Sequence, residues 1–437
     1  MSSYASAPPA IMATAVPVPV TATHTHTHHN TQLHNNVFNP YKPNHPDGYH
    51  VTSEINLQQI VLNNQSSNTK VEQHVEQEQR LNTHTIQDLK AQGYTDGLIR
   101  ALQVNKTEFP IRFWVVDNSG SMWTNDGHRM IQSTTRTRTP KYIDCTRWEE
   151  IKETVLYHAN MAAQLNMPTI FRLLNHPGSS IGSQQFGICT NTNTCIDNNS
   201  KIGAFADVSN AERIMNAIRP QGGTPLTDHI LAIQQQVMEI APQLNATGKR
   251  AVVVFATDGI PTDSQGYDSQ GARNQFVQAL RLMEGLPVWI VIRICTDDDD
   301  VVEFYNDLDE KLELSLEVLD DFQGEAKEVF AFNPWLNYAL PIHRIRELGF
   351  HDRVFDLIDE RRLTKTDVRQ YCQLLFGQDR FDGTPDPAVD WNGFIAALEK
   401  MSYGEEKQWN PISKKNKPLV SIQKLKRTYG NSGCVIM

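Results

Sequence analysis

The stretch FWVVDNSGSM, Phe113 to Met122, decides how this chain is read. Four apolar residues run directly into a carboxylate, Asp117, and the hydroxyls of Ser119 and Ser121 follow at alternate positions. An apolar run without in–out alternation suits a strand buried on both faces of a parallel sheet. Such sheets bind ligands beyond the carboxyl ends of their strands, which is where these polar residues stand. Three chemistries compete for them: a nucleophilic serine, a phosphate cradle and a hard metal site.

Runs of the same character appear at IRFWVV (111–116), TIFRLL (169–174), AVVVFAT (251–257) and PVWIVIRIC (287–295), and a last strand is expected at LSLEVLD (314–320). Helical patterns lie between them. In TRWEEIKETVLYHANMAAQL, Trp148, Ile151, Val155, Ala159 and Ala162 share one face, and Thr146 with Glu149 has capping-box spacing. Further helices are expected over 224–240, 269–284 and 297–312, the last with four aspartates at its positive end. Strand and helix in alternation predict an α/β fold with a doubly wound, mostly parallel sheet flanked by helices.

The chain has 437 residues, 39% of them hydrophobic, enough for two or three domains and at least one sizeable core. Composition divides it into a disordered low-complexity arm (1–80), a short helical docking segment (81–107), the α/β domain (108–330), a small helical extension (331–403) and a basic flexible tail (404–437). Within the arm, His24, His26, His28 and His29 read as a biased polar repeat, because no carboxylate or cysteine framework accompanies them. IQDLKAQGYTDGLIRAL (86–102) and IRELGFHDRVFDLI (345–358) each resemble the first half of a ubiquitin-associated domain. Each is too short for the whole unit, so small docking helices are expected.

The formal charge is −10, but Lys407 to Met437 holds seven basic residues and no acid. The remainder carries 33 basic against 50 acidic residues, which argues against a nucleic-acid partner. There is no CxxC pair, no secretory signal and no apolar run near the roughly 18 residues that span a bilayer. A cytoplasmic protein with reduced thiols is expected.

Two further polar clusters stand where strands end. Asp258-Gly259 follows AVVVFAT, and Thr224 lies in the glycine turn QGGTPLTD that opens a helix. Three hydroxyls and two carboxylates, all oxygen donors, suit a hard divalent cation such as Mg²⁺. A serine nucleophile needs a positioned histidine, which nothing in the sequence nominates, and DNSGS lacks the Gly-Lys-Ser/Thr ending of a P-loop. Thr224 before Pro225 also has the pattern of a helix N-cap followed by proline at the first helical position. Asp258-Gly259 taken alone is an ordinary turn sequence.

Asp-x-Ser-x-Ser, a later Thr in Gly-Gly-Thr-Pro and a Thr-Asp-Gly after a buried strand resemble, in that order, the von Willebrand factor A domain over roughly 108–330. The resemblance implies a metal-ion-dependent adhesion site in which Ser119, Ser121 and Thr224 supply hydroxyl oxygens. Asp117 and Asp258 would bind directly or through water. It implies Mg²⁺, or Mn²⁺ or Ca²⁺, as the ion, and a partner protein whose carboxylate completes the metal shell. It implies a binding module, not an enzyme, and so no catalytic residue.

The chain departs from that pattern at WTNDGHRMIQSTTRTRTPKYIDC (123–145), an insertion with the alternation of a hairpin. Its Arg129, Arg136, Arg138 and Lys141 are candidate contacts for an acidic partner, and a merely solvated loop is the competing reading. A second insertion (176–203) leaves the sheet edge open.

Cys434-Val435-Ile436-Met437 fits a C-a-a-X box, with Met in the position that favours farnesyl transfer. The basic residues upstream supply the second signal that a single lipid chain needs to hold an anionic membrane. The expected molecule is a metal-dependent adaptor or scaffold, farnesylated at Cys434 by protein farnesyltransferase and peripheral on the cytoplasmic face of a membrane. The competing expectation is an adaptor subunit of an ATPase- or ubiquitin-linked complex.

Overall fold

The computed structural model describes residues 55–66, 81–131, 140–191, 200–263, 265–296 and 298–430, all of them in one compact unit, Asp47–Met437. The sheet is built from β1 (Ile111–Val116), β4 (Thr169–Leu173), β5 (Gln185–Ile188), β6 (Ala251–Thr257), β7 (Val288–Ile294) and β8 (Leu316–Leu319). Its order is β5-β4-β1-β6-β7-β8, parallel except for the antiparallel edge strand β5. Every residue of β1, β6 and β7 is buried, as their unbroken apolar runs require.

Alternate residues of each strand enter two separate cores. Trp114, Val116, Val252 and Val254 face one, Phe113, Val115, Val253 and Phe255 the other. The second core is closed by α1 (Leu57–Ser66), α6 (Leu226–Ala246), α7 (Gln270–Arg281) and α8 (Asp299–Lys311). The first is closed by α2 (Thr83–Ala91), α3 (Asp96–Glu108), α4 (Arg147–Leu165) and α5 (Ser200–Ala217), together with helices that follow the sheet. Those are α9 (Phe322–Phe332), α10 (Leu340–Glu347), α11 (Arg353–Glu360), α12 (Lys365–Phe376), α13 (Trp391–Ser402) and α14 (Ile422–Tyr429). The chain runs from β1 towards β4 on one side and later crosses to β6 on the other. The carboxyl ends of β1 and β6 therefore flank the point where the winding reverses.

The helical extension is fastened to the sheet by buried charge. The Glu347 carboxylate accepts from Arg344 Nη1 at 2.8 Å, lies 2.8 Å from His158 Nε2 and pairs with Arg293 Nε at 3.4 Å. Burial alone would raise its pKa, but these cationic neighbours hold it well below the usual carboxylate range. Arg346 likewise bridges Glu317, Glu325 and Asp359.

Three boundary expectations need correction. The arm expected to be disordered contains α1, whose Leu57, Ile60 and Val61 are buried at helical spacing. Three apolar residues on one face were enough, although polar neighbours mask them in composition. The remainder of that arm, with the histidine tract, lies outside the described residues. The docking segment is no free-standing element either. Tyr94, Leu98 and Leu102 are buried, as are Ile345, Phe355 and Ile358 of the second ubiquitin-associated-like stretch, so both apolar faces are used in the core.

The basic tail is folded as far as Gly430. A two-stranded hairpin, β9 (Gln408–Asn410) with β10 (Lys415–Lys417), leads into α14, and Trp409, Leu419, Val420, Leu425 and Tyr429 anchor it. Sparse apolar residues among lysines outweighed the charge, and Lys424 donates to the Pro334 carbonyl. Residues 431–437, with Cys434, lie outside the described residues. Leu425→Ala should therefore lower unfolding stability by about 2–5 kcal/mol in urea denaturation. A flexible tail would show no change.

Candidate metal centre

Asp117 and Asp258 meet because β1 and β6 run parallel in register, Val116 opposite Ala256, and the Asp117 N–H donates to the Ala256 carbonyl at 2.9 Å. Asp117 is fully buried and Asp258 nearly so. Asp117 Oδ1 accepts the Ser119 N–H at 2.8 Å, and Oδ2 accepts the Thr257 hydroxyl at 2.6 Å. The chain then enters a short 3₁₀ turn, Gly120–Trp123, that brings Ser121 round towards Asp258. Ser119 Oγ and Ser121 Oγ are 2.9 Å apart, and Ser121 Oγ donates to Asp258 Oδ1 at 2.9 Å.

The glycine turn is stitched to the same loop. Gly120 N–H donates to the Gly222 carbonyl at 3.0 Å, and Gln221 N–H to the Asn118 carbonyl at 2.8 Å. Asn118 and Asn175 exchange side-chain-to-backbone bonds, and Asn175 Nδ2 donates to the Gly223 carbonyl. Gly222 sits at φ +85° with Asn175 Oδ1 2.7 Å from where a Cβ would stand, so both conformation and space require glycine there. Thr224 is buried, and its Oγ1 lies 3.4 Å from the position a Cβ at Gly259 would occupy. All five sequence-nominated oxygen donors thus come from three loops converging at one end of the sheet. The N-cap alternative for Thr224 does not hold: α6 begins at Leu226 after Pro225, with no side-chain cap.

Both carboxyls are desolvated. Burial pushes the Asp117 carboxyl up to about 7, with the Asp258 charge adding to the shift, and burial likewise raises Asp258. One cation already answers part of this. Arg147, at the first position of α4, donates from Nη1 to Asp258 Oδ2 at 2.9 Å. Its other nitrogens grip Asp126 in the insertion, at 2.6 and 2.5 Å. Asp258 Oδ1 is left on the serine side.

The donor set fits a hard divalent ion. Neighbouring oxygens around octahedral Mg²⁺ stand roughly 2.9 Å apart, since the Mg–O bond is about 2.0–2.1 Å. The two spacings along Ser119, Ser121 and Asp258 match that edge.

The sequence reading missed Arg147, Thr257 and Tyr305, whose hydroxyl donates to the Gly259 carbonyl at 2.9 Å. Thr257 was visible as the first residue of Thr-Asp-Gly. Arg147 carried no signal, because its partner is 111 positions away. The insertion is an antiparallel hairpin, β2 (Gly127–Ile131) with β3 (Lys141–Cys145). Its Arg129 lines a cavity with Glu150, Glu153 and Arg344, and none of the five oxygen-donor residues lines that cavity. Lys141 is exposed, while Arg136 and Arg138 lie outside the described residues.

No family profile matches the chain, and no curated protein matches it. Among solved structures it is similar to the PilB minor pilin from Streptococcus sanguinis, at 12% identity and a TM-score of 0.30. A mutant of the same pilin matches at 15% identity and a TM-score of 0.31. In each case the match covers 48% of this chain and 56% of the pilin chain, so the chain spans about half the length of the structures it matches. Similarity at this level carries no argument about function.

Burial that raises the pKa of both carboxyls costs folding stability at pH values where they are ionised. Asp117→Asn should therefore raise stability in EDTA by about 1–3 kcal/mol and abolish any gain in melting temperature on adding Mg²⁺. Equal Mg²⁺ responses of variant and parent would refute the assignment of Asp117.

Proposed function

We propose that the chain is a divalent-metal-dependent protein-binding module, an adaptor or scaffold built on a von Willebrand factor A-type domain. One observation carries the reading. Asp117, Ser119, Ser121, Thr224 and Asp258 lie on three loops at the reversal point of the sheet, and the two spacings along Ser119, Ser121 and Asp258 match the edge of an octahedral oxygen shell. Asp117, Ser119, Ser121, Thr224 and Asp258 would hold Mg²⁺, which would supply a Lewis-acidic face for a carboxylate of a partner. The chain's own residues orient it: Thr257 and the Ser119 amide fix the Asp117 carboxylate, and Arg147 fixes Asp258. The partner class is a protein offering an aspartate or glutamate side chain.

Affinity capture in Mg²⁺ and in EDTA, with the parent and Asp117→Ala, tests this. Partners should be retained by the parent in Mg²⁺, released by EDTA and missing from the variant. A partner set indifferent to both would leave the cluster a structural feature only.

We also propose that a farnesyl group on Cys434 acts with exposed lysines of the folded tail to hold the protein at an anionic membrane. Lys414, Lys415 and Lys426 with Arg427 are exposed, and no described helix is long and apolar enough to cross a membrane. Cys434→Ser should lose the modified C-terminal peptide in mass spectrometry and should fail to sediment with phosphatidylserine vesicles. A Cys434→Ser protein that sediments as the parent does counts against the anchor.

A further inference from the structure

The hairpin insertion brings a second, chemically different donor set together. His128 on β2, Glu150 in the first turn of α4 and Asp321 at the cap of α9 are brought together by the fold. One ligand atom from each lies within 4.8 Å of the others. Glu150 and Asp321 are buried, and His128 is largely covered. We propose that His128, Glu150 and Asp321 form a binding site for a divalent transition ion, Zn²⁺ foremost, that tethers the hairpin to the body of the domain.

The geometry supports a shared ion. His128 Nδ1 and Asp321 Oδ2 are 3.4 Å apart, long for a hydrogen bond. That is the edge of a tetrahedron with bonds of about 2.0–2.1 Å, the values for zinc with imidazole and carboxylate. Each ligand is also braced from behind, as metal ligands are. His128 Nε2 faces the carboxylate of its cross-strand neighbour Asp144 at 3.6 Å, and the ring stacks on Tyr142 at 5.1 Å and 6°. Glu150 Oε1 is held by Arg293, while Oε2 points to the His128 side and accepts its backbone N–H at 2.8 Å. Asp321 Oδ1 accepts the Gly324 N–H at 2.5 Å, which leaves Oδ2 facing the imidazole and the Tyr142 hydroxyl.

His128 and Glu150 also line a small cavity of about 30 Å³, with Thr154 and Arg344, large enough for a water molecule beside two of the three ligands. The imidazole separates this site from the all-oxygen cluster. Nitrogen ligation favours Zn²⁺ or Co²⁺ over Mg²⁺. The two sites share α4, with Arg147 on Asp258 and Glu150 one turn later. An ion at the second would fix the hairpin, and with it Asp126 on Arg147, beside the first.

The test uses the full chain with Asp117→Ala, which removes the first site, and with His24→Ala, His26→Ala, His28→Ala and His29→Ala, which remove the histidine tract. Zn²⁺ is titrated against a chromophoric chelator, and Co²⁺ binding is followed by visible absorption. The parent of this series should take up one equivalent of Zn²⁺ and give the strong visible bands of tetrahedral Co²⁺. His128→Gln and Asp321→Asn should each weaken Zn²⁺ binding at least about tenfold and lose those bands. Both substitutions spare the fold: glutamine keeps the backbone pairing of β2, and asparagine still caps α9. Melting curves in EDTA verify this. Parent-like affinity in either variant, or no Zn²⁺ uptake by the parent, overturns the proposal. Because Asp117→Ala is common to every arm, a failure here is separate from a failure of the Mg²⁺ reading.

Discussion

Two carboxylates buried side by side at the ends of adjacent parallel strands are the constraint around which this end of the molecule is arranged. The in-register pairing of β1 with β6 brings Asp117 and Asp258 to the same end of the sheet. Burial raises the pKa of both carboxyls, and the Asp258 charge adds to the shift at Asp117. The surrounding residues supply donors one by one: the Thr257 hydroxyl, the Ser119 amide, the Ser121 hydroxyl and the Arg147 guanidinium. Even so, two acids face one arginine. A divalent cation among the hydroxyls would complete the balance.

The loops that present these groups are held by backbone and amide hydrogen bonds, with the Met122 side chain buried beneath them in the core. Asn118, Asn175, Gly222 and Gly120 lock the 117–123 loop to the 220–224 turn. Hydrogen bonds fix direction as well as distance, so the two loops are held in one arrangement. Preorganisation of this kind lowers the cost of binding, because little ordering remains to be done on association.

A second electrostatic framework explains why the helical part is not a separate domain. Glu347 and Arg346, adjacent on α10, each gather several opposite charges from α4, α9, α11 and the strands β7 and β8. Removing one member of such a network would strand its partners in a low dielectric, so the sheet and the extension hold each other in place. The same framework supplies Arg293, which orients Glu150 towards the hairpin.

Much of the fold was legible in the residues themselves. The strands at 111–116 and 251–257 and the capping box at Thr146 and Glu149 lie where the sequence patterns put them, because apolar periodicity and helix caps are local properties. The placement of Asp117, Ser119, Ser121, Thr224 and Asp258 was legible for the same reason: each lies in a loop just beyond a strand or just before a helix. The edge strand β5, the helix α1 and the folding of the basic tail were not. Their apolar residues are few and gain stability only against partners far along the chain. Arg147 on Asp258, and His128 with Glu150 and Asp321, share that reason. A side chain's chemistry is written in the sequence, but which charges it meets depends on how the sheet winds, and only the tertiary structure decides that.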